Sequence, residues 1–380
     1  MKKLISFIDY SVILSIHPHG RVHWINMKKK QKELNGVKEI ARRAKVSIAT
    51  VDRVLHNRPG VSERTKQKIL GIIKELDYKP NILARRLASS KTMHLYTLIP
   101  EKSMETDYWD VPLQGILQAE NEIKLYNVKI SKFFYDMNDK QSFIEQTKNI
   151  LKQTDIDGLL LAPAFVAEAV AFTDECKRRS IPFVFINSDI PQQKSLSYFG
   201  PNLFHSGQTA AHLIHYLTKQ TDRILLLNIA KDIDSDHHIL RKEEGFMNYF
   251  SDNKPRNIIK ENLYHTNYAA VKKALAKIVR SNPDLNLIFV TNSRVALVAR
   301  FLQEIGKNDT LLIGYDFLPN NIEYLNQGVI DFLICEKPQE QAYRGVKALY
   351  RFLMFEEDQE KEYFMPIDII HRENQQFYKN

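Results

Sequence analysis

The chain holds only two cysteines in 380 residues, Cys176 and Cys335. That is too few for a disulfide framework and fits a reducing compartment. No stretch approaches the ~20 consecutive apolar residues that span a bilayer, so no membrane partner is expected. No two glycines lie two residues apart, which removes G-x-G-x-x-G, and no G-x-x-x-x-G-K-[ST] loop occurs. A nucleotide-dependent kinase or dehydrogenase is therefore poorly supported. There is no G-x-S-x-G elbow, and the histidines lack zinc spacing. The expectation is a non-enzyme without cofactor or metal. DIDSDHHILRKE comes nearest to a metal motif: Asp232, Asp234, Asp236 and Glu243 fall at positions 1, 3, 5 and 12 of a calcium loop. His237 occupies the position that needs glycine, so a solvated loop is the expectation.

Charge is uneven. Residues 28–91 carry 18 Lys/Arg against 6 Asp/Glu, a net of +12, whereas the chain beyond them is net −5. A small basic module ahead of a large, mildly acidic body points to a polyanionic partner for the module. The start, MKKLISFIDYSVILSI, has the basic and apolar character of a signal peptide, but Asp9 interrupts it and no small-residue cleavage site precedes HPHGRVHW. Met27 opens MKKKQKELNG directly before the first helical pattern. Residues 1–34 are read as an extension, disordered or due to a misassigned start, with Met27 as the start.

Within the module, Val37, Ile40, Ala41 and Ala44 share one helical face. Ser47 is a good N-cap for a second helix, with Val51, Val54 and Leu55 on its inner face. Ser62 caps a third, striped by Ile69, Ile72, Ile73 and Leu76. Three short helices joined by tight turns form a helix-turn-helix domain, placed at residues 35–79. The exposed face of its second helix suits the DNA major groove. Ile48 and Ala49 can meet thymine methyls, Arg53 can bind guanine bidentately, and Ser47 and Thr50 hydroxyls suit phosphates. A helical module binding protein instead of DNA is the blander alternative, and charge, capping and spacing disfavour it.

Residues 37–89, VKEIARRAKVSIATVDRVLHNRPGVSERTKQKILGIIKELDYKPNILARRLAS, resemble the lac repressor (LacI/GalR) family of bacterial transcription regulators. Two departures are Asp52 at a usual Ser and His56-Asn57 for a single Asn; Asn57 is counted with the DNA-contacting set. The resemblance implies that YKPNILARRLASS (78–90) holds a hinge helix, placed at 80–92, that orders on operator DNA. Leu87 would then wedge into a base step of the minor groove while Arg85 and Arg86 meet phosphates. Without the resemblance this segment reads as a linker, too short for a stable isolated helix.

From His94 onward, apolar runs alternate with amphipathic stretches. HLYTLIP, NVKISKFFY, DGLLLAP, PFVFIN, SYFG, RILLLNIA, NIIKENLYH, LNLIFVTN and TLLIGYD read as strands. The expected architecture is an α/β body of two doubly wound parallel-sheet subdomains, preceded by the small all-α helix-turn-helix domain. Ligands of such sheets bind beyond the carboxyl ends of strands. That rule selects Tyr108 and Trp109, then Asn187, Ser188 and Asp189, then Asn292 with Arg294 nearby, then Asp316. Aromatic faces beside Asp, Asn and Arg suit a sugar, although strand-end Asn and Asp also cap helices and Trp109 could be core.

The family resemblance extends over this body and implies a periplasmic-binding-protein-like (type I) effector domain at 93–380. RKEEGF matches the family's R..GF, whose arginine, here Arg241, binds ligand. TNSRVAL matches ND..A with Ser293 for the aspartate, IGYDFLP matches GFD with Asp316, and ICEKPQEQAYRG places Glu336 at a usual Gln. Lobe crossings are expected near 199–202, 316–318 and 336–338. That gives an N-subdomain of about 93–200 plus 317–336 and a C-subdomain of about 201–316 plus 337–380. The tail MPIDIIHRENQQFYKN lacks the heptads of tetrameric relatives. The combined expectation is a cytoplasmic, homodimeric repressor that binds a palindromic double-stranded operator and senses a sugar-like effector. Alternatives are a periplasmic-type solute-binding protein, or a DNA-binding domain fused to a sugar-modifying enzyme.

Overall fold

The computed structural model describes residues 36–55, 58–76, 78, 92–103, 106–234, 236–251, 255–307 and 309–380. The chain divides into two units, 1–81 and 82–380. The expected extension at 1–34 and most of the expected hinge, with Arg85, Arg86 and Leu87, lie outside the described residues, as does Asn57.

The first unit contains α1 (Val37–Ala44), α2 (Ile48–Leu55) and α3 (Glu63–Glu75). Lys45 takes left-handed backbone (φ 58°) and closes α1, and Ser47 accepts the Thr50 N–H at 3.1 Å to open α2. Ser62 accepts the Thr65 N–H at 3.4 Å and opens α3. Ile40, Ala44, Val51, Val54 and Ile69 bury together between the three helices. The Lys68 ammonium donates to the Ala44 carbonyl at 2.9 Å, tying α3 to the end of α1.

The second unit is built on two six-stranded sheets. In chain order the first lobe has β1 (Met93–Pro100), α4 (Asp110–Ile123), β2 (Val128–Tyr135), α5 (Lys140–Leu151), β3 (Gly158–Leu161), α6 (Val166–Arg178), β4 (Phe183–Ile186) and β5 (Ser197–Gly200). The second lobe follows with α7 (Leu203–Leu217), β6 (Arg223–Ile229), α8 (His237–Tyr249), β7 (Asn257–Leu263), α9 (Tyr268–Ser281), β8 (Leu285–Val290), α10 (Val295–Glu304), β9 (Leu311–Tyr315), α11 (Pro319–Asn326) and β10 (Phe332–Cys335). Then come α12 (Pro338–Phe355), β11 (Glu362–Phe364) and β12 (Asp368–Ile370). The sheet orders are β11-β5-β4-β3-β1-β2 and β12-β10-β9-β8-β6-β7. All pairings are parallel except β10 with β12. Helices cover both faces, so central strands are apolar throughout: Leu225, Leu226 and Leu227 are all buried.

The sheet topology corrects one of the three expected crossings and agrees with those near 199–202 and 336–338. β9, α11 and β10 form one parallel crossover within the second sheet, where Phe332 pairs with Ile313 and Leu325 joins the second-lobe core. No lobe change therefore occurs at 316–318. Helix α12 packs on the first lobe, with Ala342, Val346 and Leu349 in its core, and β11 pairs with β5. The chain leaves the first lobe after β5, returns after β10, and leaves again between β11 and β12. Segments 317–336 and 338–364 thus belong to the opposite lobes from those expected.

In each lobe glycine brings a pair of helices close. A Cβ on Gly115 would lie 2.0 Å from the Gln339 carbonyl oxygen, joining α4 to α12. A Cβ on Gly207 would lie 1.9 Å from the Lys242 carbonyl oxygen, joining α7 to α8. The second contact holds α8 at the cleft.

Candidate functional site

On the first unit, Ser47, Ile48, Ala49 and Arg53 are exposed, and Ile48 is 50% accessible, while Val51 and Val54 of the same helix are buried. Helix α2 therefore presents the residues expected to read bases on its open face. Ser47 Oγ lies 2.8 Å from Thr50 Oγ1, so both hydroxyls sit together at the helix start. Arg58 Nη1 lies 3.4 Å from Asp52 Oδ2, which sets a cation beside that unusual acid.

In the second unit a cleft lies between the carboxyl ends of the two sheets, enclosing roughly 1020 Å³ of space free of protein atoms, its mouth included. The first lobe supplies Thr106, Tyr108, Trp109, Tyr135, Met137, Phe165, Asn187 and Ser188; the second supplies Asp232, Asp236, His237, His238, Lys242, Asn292, Ser293, Arg294 and Asp316.

The first-lobe wall is aromatic. Tyr108 and Trp109 meet edge to face at 5.1 Å, and the indole N–H points at Met137 Sδ, 3.2 Å away. The Tyr108 hydroxyl donates to Asn187 Oδ1 at 2.7 Å. Asn187 has left-handed backbone (φ 68°), a conformation that Asn tolerates better than most residues. Its N–H donates to Gln341 Oε1 at 3.1 Å, and its carbonyl faces His238 Nε2 of the other lobe at 3.2 Å. A carbonyl only accepts, so this His238 nitrogen carries the proton. Burial, with Lys242 nearby, pushes the His238 pKa well below the ordinary range and holds the ring neutral. A second contact between the lobes joins Thr106 Oγ1 and Ser293 Oγ at 3.2 Å.

The second-lobe wall is ionic. Asp236 caps α8 by accepting the Ile239 N–H at 3.1 Å, and burial raises its pKa. Asp316 ends β9 with φ 74°; its carboxyl is pushed up to about 7, first by burial, with Lys242 lowering and Glu336 raising it. Buried Asn321 holds this corner, donating to the carbonyls of Ser293, Tyr315 and Asp316 at 3.2, 3.0 and 2.9 Å. Asn292 and Arg294 both donate to the Ile229 carbonyl, at 2.7 and 3.2 Å. Of the calcium-loop residues, Asp236 is spent on the α8 cap, while Glu243 accepts from Asn228 at 2.8 Å and pairs with Lys260.

Five of the eight expected effector residues line the cleft: Tyr108, Trp109, Asn187, Asn292 and Asp316. Three do not. Asp189 sits one residue beyond Ser188, which takes the lining position. Arg241 faces partly outward, paired with Glu244 and set over the Phe204 ring. Counting the motif back from Gly245-Phe246 places the R..GF position on Lys242, which lines the cleft. One residue on a helix is a turn of about 100°, enough to exchange cleft for solvent. Glu336 is fully buried beneath the cleft and contacts Lys242 and Ser206 instead of the cavity. His238 and Lys242 were not selected from the sequence, and Asp236 only as a calcium-loop position. They lie in the loop and helix that follow strand RILLLNIA, so the strand-end rule already pointed there.

Among the described residues, no helix is long and apolar enough to cross a membrane. The family of bacterial regulatory proteins named lacI matches residues 36–81, and the periplasmic binding protein domain matches 97–357. The transcriptional regulator RegA of Clostridium acetobutylicum is 30% identical over 185 residues, covering 48% of this chain and 52% of that protein. The match thus spans about half the length of that relative. A ribose operon repressor of Halalkalibacterium halodurans is 24% identical over 74% of this chain and 80% of its own. A crystal structure assigned as a LacI transcriptional regulator from Bacteroides fragilis is 28% identical with a TM-score of 0.72, covering 76% of this chain and all of that one. These relatives are named as regulators of transcription, not enzymes. With a periplasmic binding protein domain over most of its length and a helix-turn-helix module ahead of it, the chain belongs to the lacI family of bacterial regulatory proteins.

Proposed function

We propose that this regulator binds a palindromic operator as a cytoplasmic homodimer and represses transcription until a sugar-like effector enters the cleft. The observation that carries the reading is the pairing of walls: rings on one lobe, hydrogen-bonding and charged groups on the other. A sugar offers an apolar ring face to the first and hydroxyls to the second. The names of relatives agree, a ribose operon repressor among regulators and a glucose-galactose binding protein of Geobacillus stearothermophilus (21% identical, TM-score 0.66) among folds. A ligand that touches both lobes favours one lobe arrangement over another, and this unequal affinity is what shifts DNA binding. Two-fold operators follow from a two-fold protein.

The test begins with selection of bound sequences from a random duplex library, followed by operator titrations with and without a panel of monosaccharides. A recovered inverted repeat whose affinity drops with one sugar supports the reading. Recovery of no preferred sequence contradicts it. Arg53→Ala should cost about 1–3 kcal/mol on the recovered operator and relax preference at one base position; unchanged preference removes Arg53 from readout.

A further inference from the structure

A polar cluster runs from Lys242, at the cleft wall, down to Glu336, Ser206 and Tyr315, which lie outside the cleft lining. Lys242 and Glu336 side chains are each only 2% exposed, with Nζ and Oε2 3.1 Å apart. The other Glu336 oxygen accepts from Ser206 Oγ at 2.5 Å, and Ser206 lies 3.1 Å from the Tyr315 hydroxyl. The Lys242 ammonium also sits 3.6 Å above the Tyr315 ring. Glu336 is anchored independently, because its carbonyl accepts from Gln341 Nε2 at 2.7 Å on α12. So one of the two Lys/Arg side chains that line the cleft is already matched by a carboxylate from behind, in a setting dry enough for the match to be nearly complete.

The other cleft cation, Arg294, donates to the Ile229 carbonyl at 3.2 Å and acts electrostatically on Asp236. Asp236 and Asp316 face the same space. Among the described residues no ion-pair partner reaches the Asp316 carboxylate, which tolerates burial by holding on to its proton near neutral pH. A phosphate or carboxylate placed here meets three acidic side chains, Asp232, Asp236 and Asp316, beside Arg294 and an ammonium already matched by Glu336.

We propose that Glu336 is the charge-selectivity residue of the cleft: by neutralising Lys242 from below, it fits the site to a polyhydroxyl ligand that carries no phosphate or carboxylate. This rests on the reading of the cleft as the effector site. Glu336 acts through Lys242 and is a positioning residue. Replacing it with glutamine keeps its shape and releases the ammonium toward the cleft, which turns an anion-rejecting site into an anion-accepting one.

The experiment is thermal unfolding of the whole chain in inorganic phosphate against chloride at matched ionic strength, for wild type, Glu336→Gln and the Lys242→Met/Glu336→Gln pair. Glu336→Gln should melt lower in chloride and recover in phosphate, with wild type and the double variant indifferent to the exchange. Equal phosphate responses in all three, or no recovery in Glu336→Gln, overturns the proposal. If Glu336→Gln does not fold, the wild type still decides. Glucose 6-phosphate and glucuronate should leave its melting unchanged, and a clear rise with either sinks the charge assignment. Such a rise would leave the sugar-sensing reading standing, so the two fail separately.

Discussion

The two lobes share one order of their five main strands and bring opposite chemistry to the cleft. The first offers Tyr108, Trp109, Tyr135 and Phe165; the second offers Asp236, Lys242, Arg294 and Asp316. The aromatic wall is stable on its own terms, since rings pack against rings and need few partners. The ionic wall is not, because each buried charge needs a partner or a shifted pKa. The second lobe therefore carries a support structure the first lacks: Glu336 and Ser206 under Lys242, Asn321 under Asp316, and the α8 cap at Asp236. Binding groups that cost stability need rigid backing, and much of that backing, Glu336, Ser206 and Asn321, lies outside the cleft lining.

The comparison breaks most visibly at the buried pair. Lys242→Met leaves Glu336 unpaired and should cost about 3–5 kcal/mol, read as the denaturation midpoint. Adding Glu336→Gln should return much of that loss, and a double variant no better than the single would show that packing, not charge, matters there. Next comes the helix contact beneath α8. Gly207→Val drives a side chain into the Lys242 carbonyl, 1.9 Å from its Cβ, and should cost about 1–3 kcal/mol. A neutral result would mean that α7 and α8 can part freely.

Asp316 sharpens the contrast through pH. Its carboxyl titrates at about 7 in the folded chain against an ordinary 3.8, so folding raises its pKa. Its contribution to stability is complete below pH 3.8 and is lost as pH rises through about 7. Relative to Asp316→Asn, wild type should lose stability between those values; parallel pH profiles would contradict the burial account. The smallest effect belongs to the aromatic wall. Tyr108→Phe removes the 2.7 Å bond to Asn187 and should cost about 1 kcal/mol, with the rings still packed. A loss as large as that of Lys242→Met would erase the distinction between the walls.

Legibility followed the locality of the interactions. The helix-turn-helix module is specified by caps and stripes within a few residues, so Ser47, Ser62 and the apolar faces were visible in sequence. Nine parallel strands were visible, the central ones because both of their faces are buried and their runs are apolar. The three later strands were missed: β11 and β12 are three residues each, and β10 is four residues inside a segment read for its motif. Lobe membership after 316 depends on which sheet edge receives a strand, and no local pattern encodes that. Lys242 was hidden by a one-residue register choice, and Glu336 by its position one layer below the cavity.

The most direct test of the account is thermal unfolding of the intact chain against neutral monosaccharides, repeated with Asp316→Ala. One compound should raise the melting temperature, by roughly 2–4 °C for each kcal/mol of binding linkage, and Asp316→Ala should abolish the rise. A rise that survives Asp316→Ala would place the effector outside the cleft between the lobes and contradict the account.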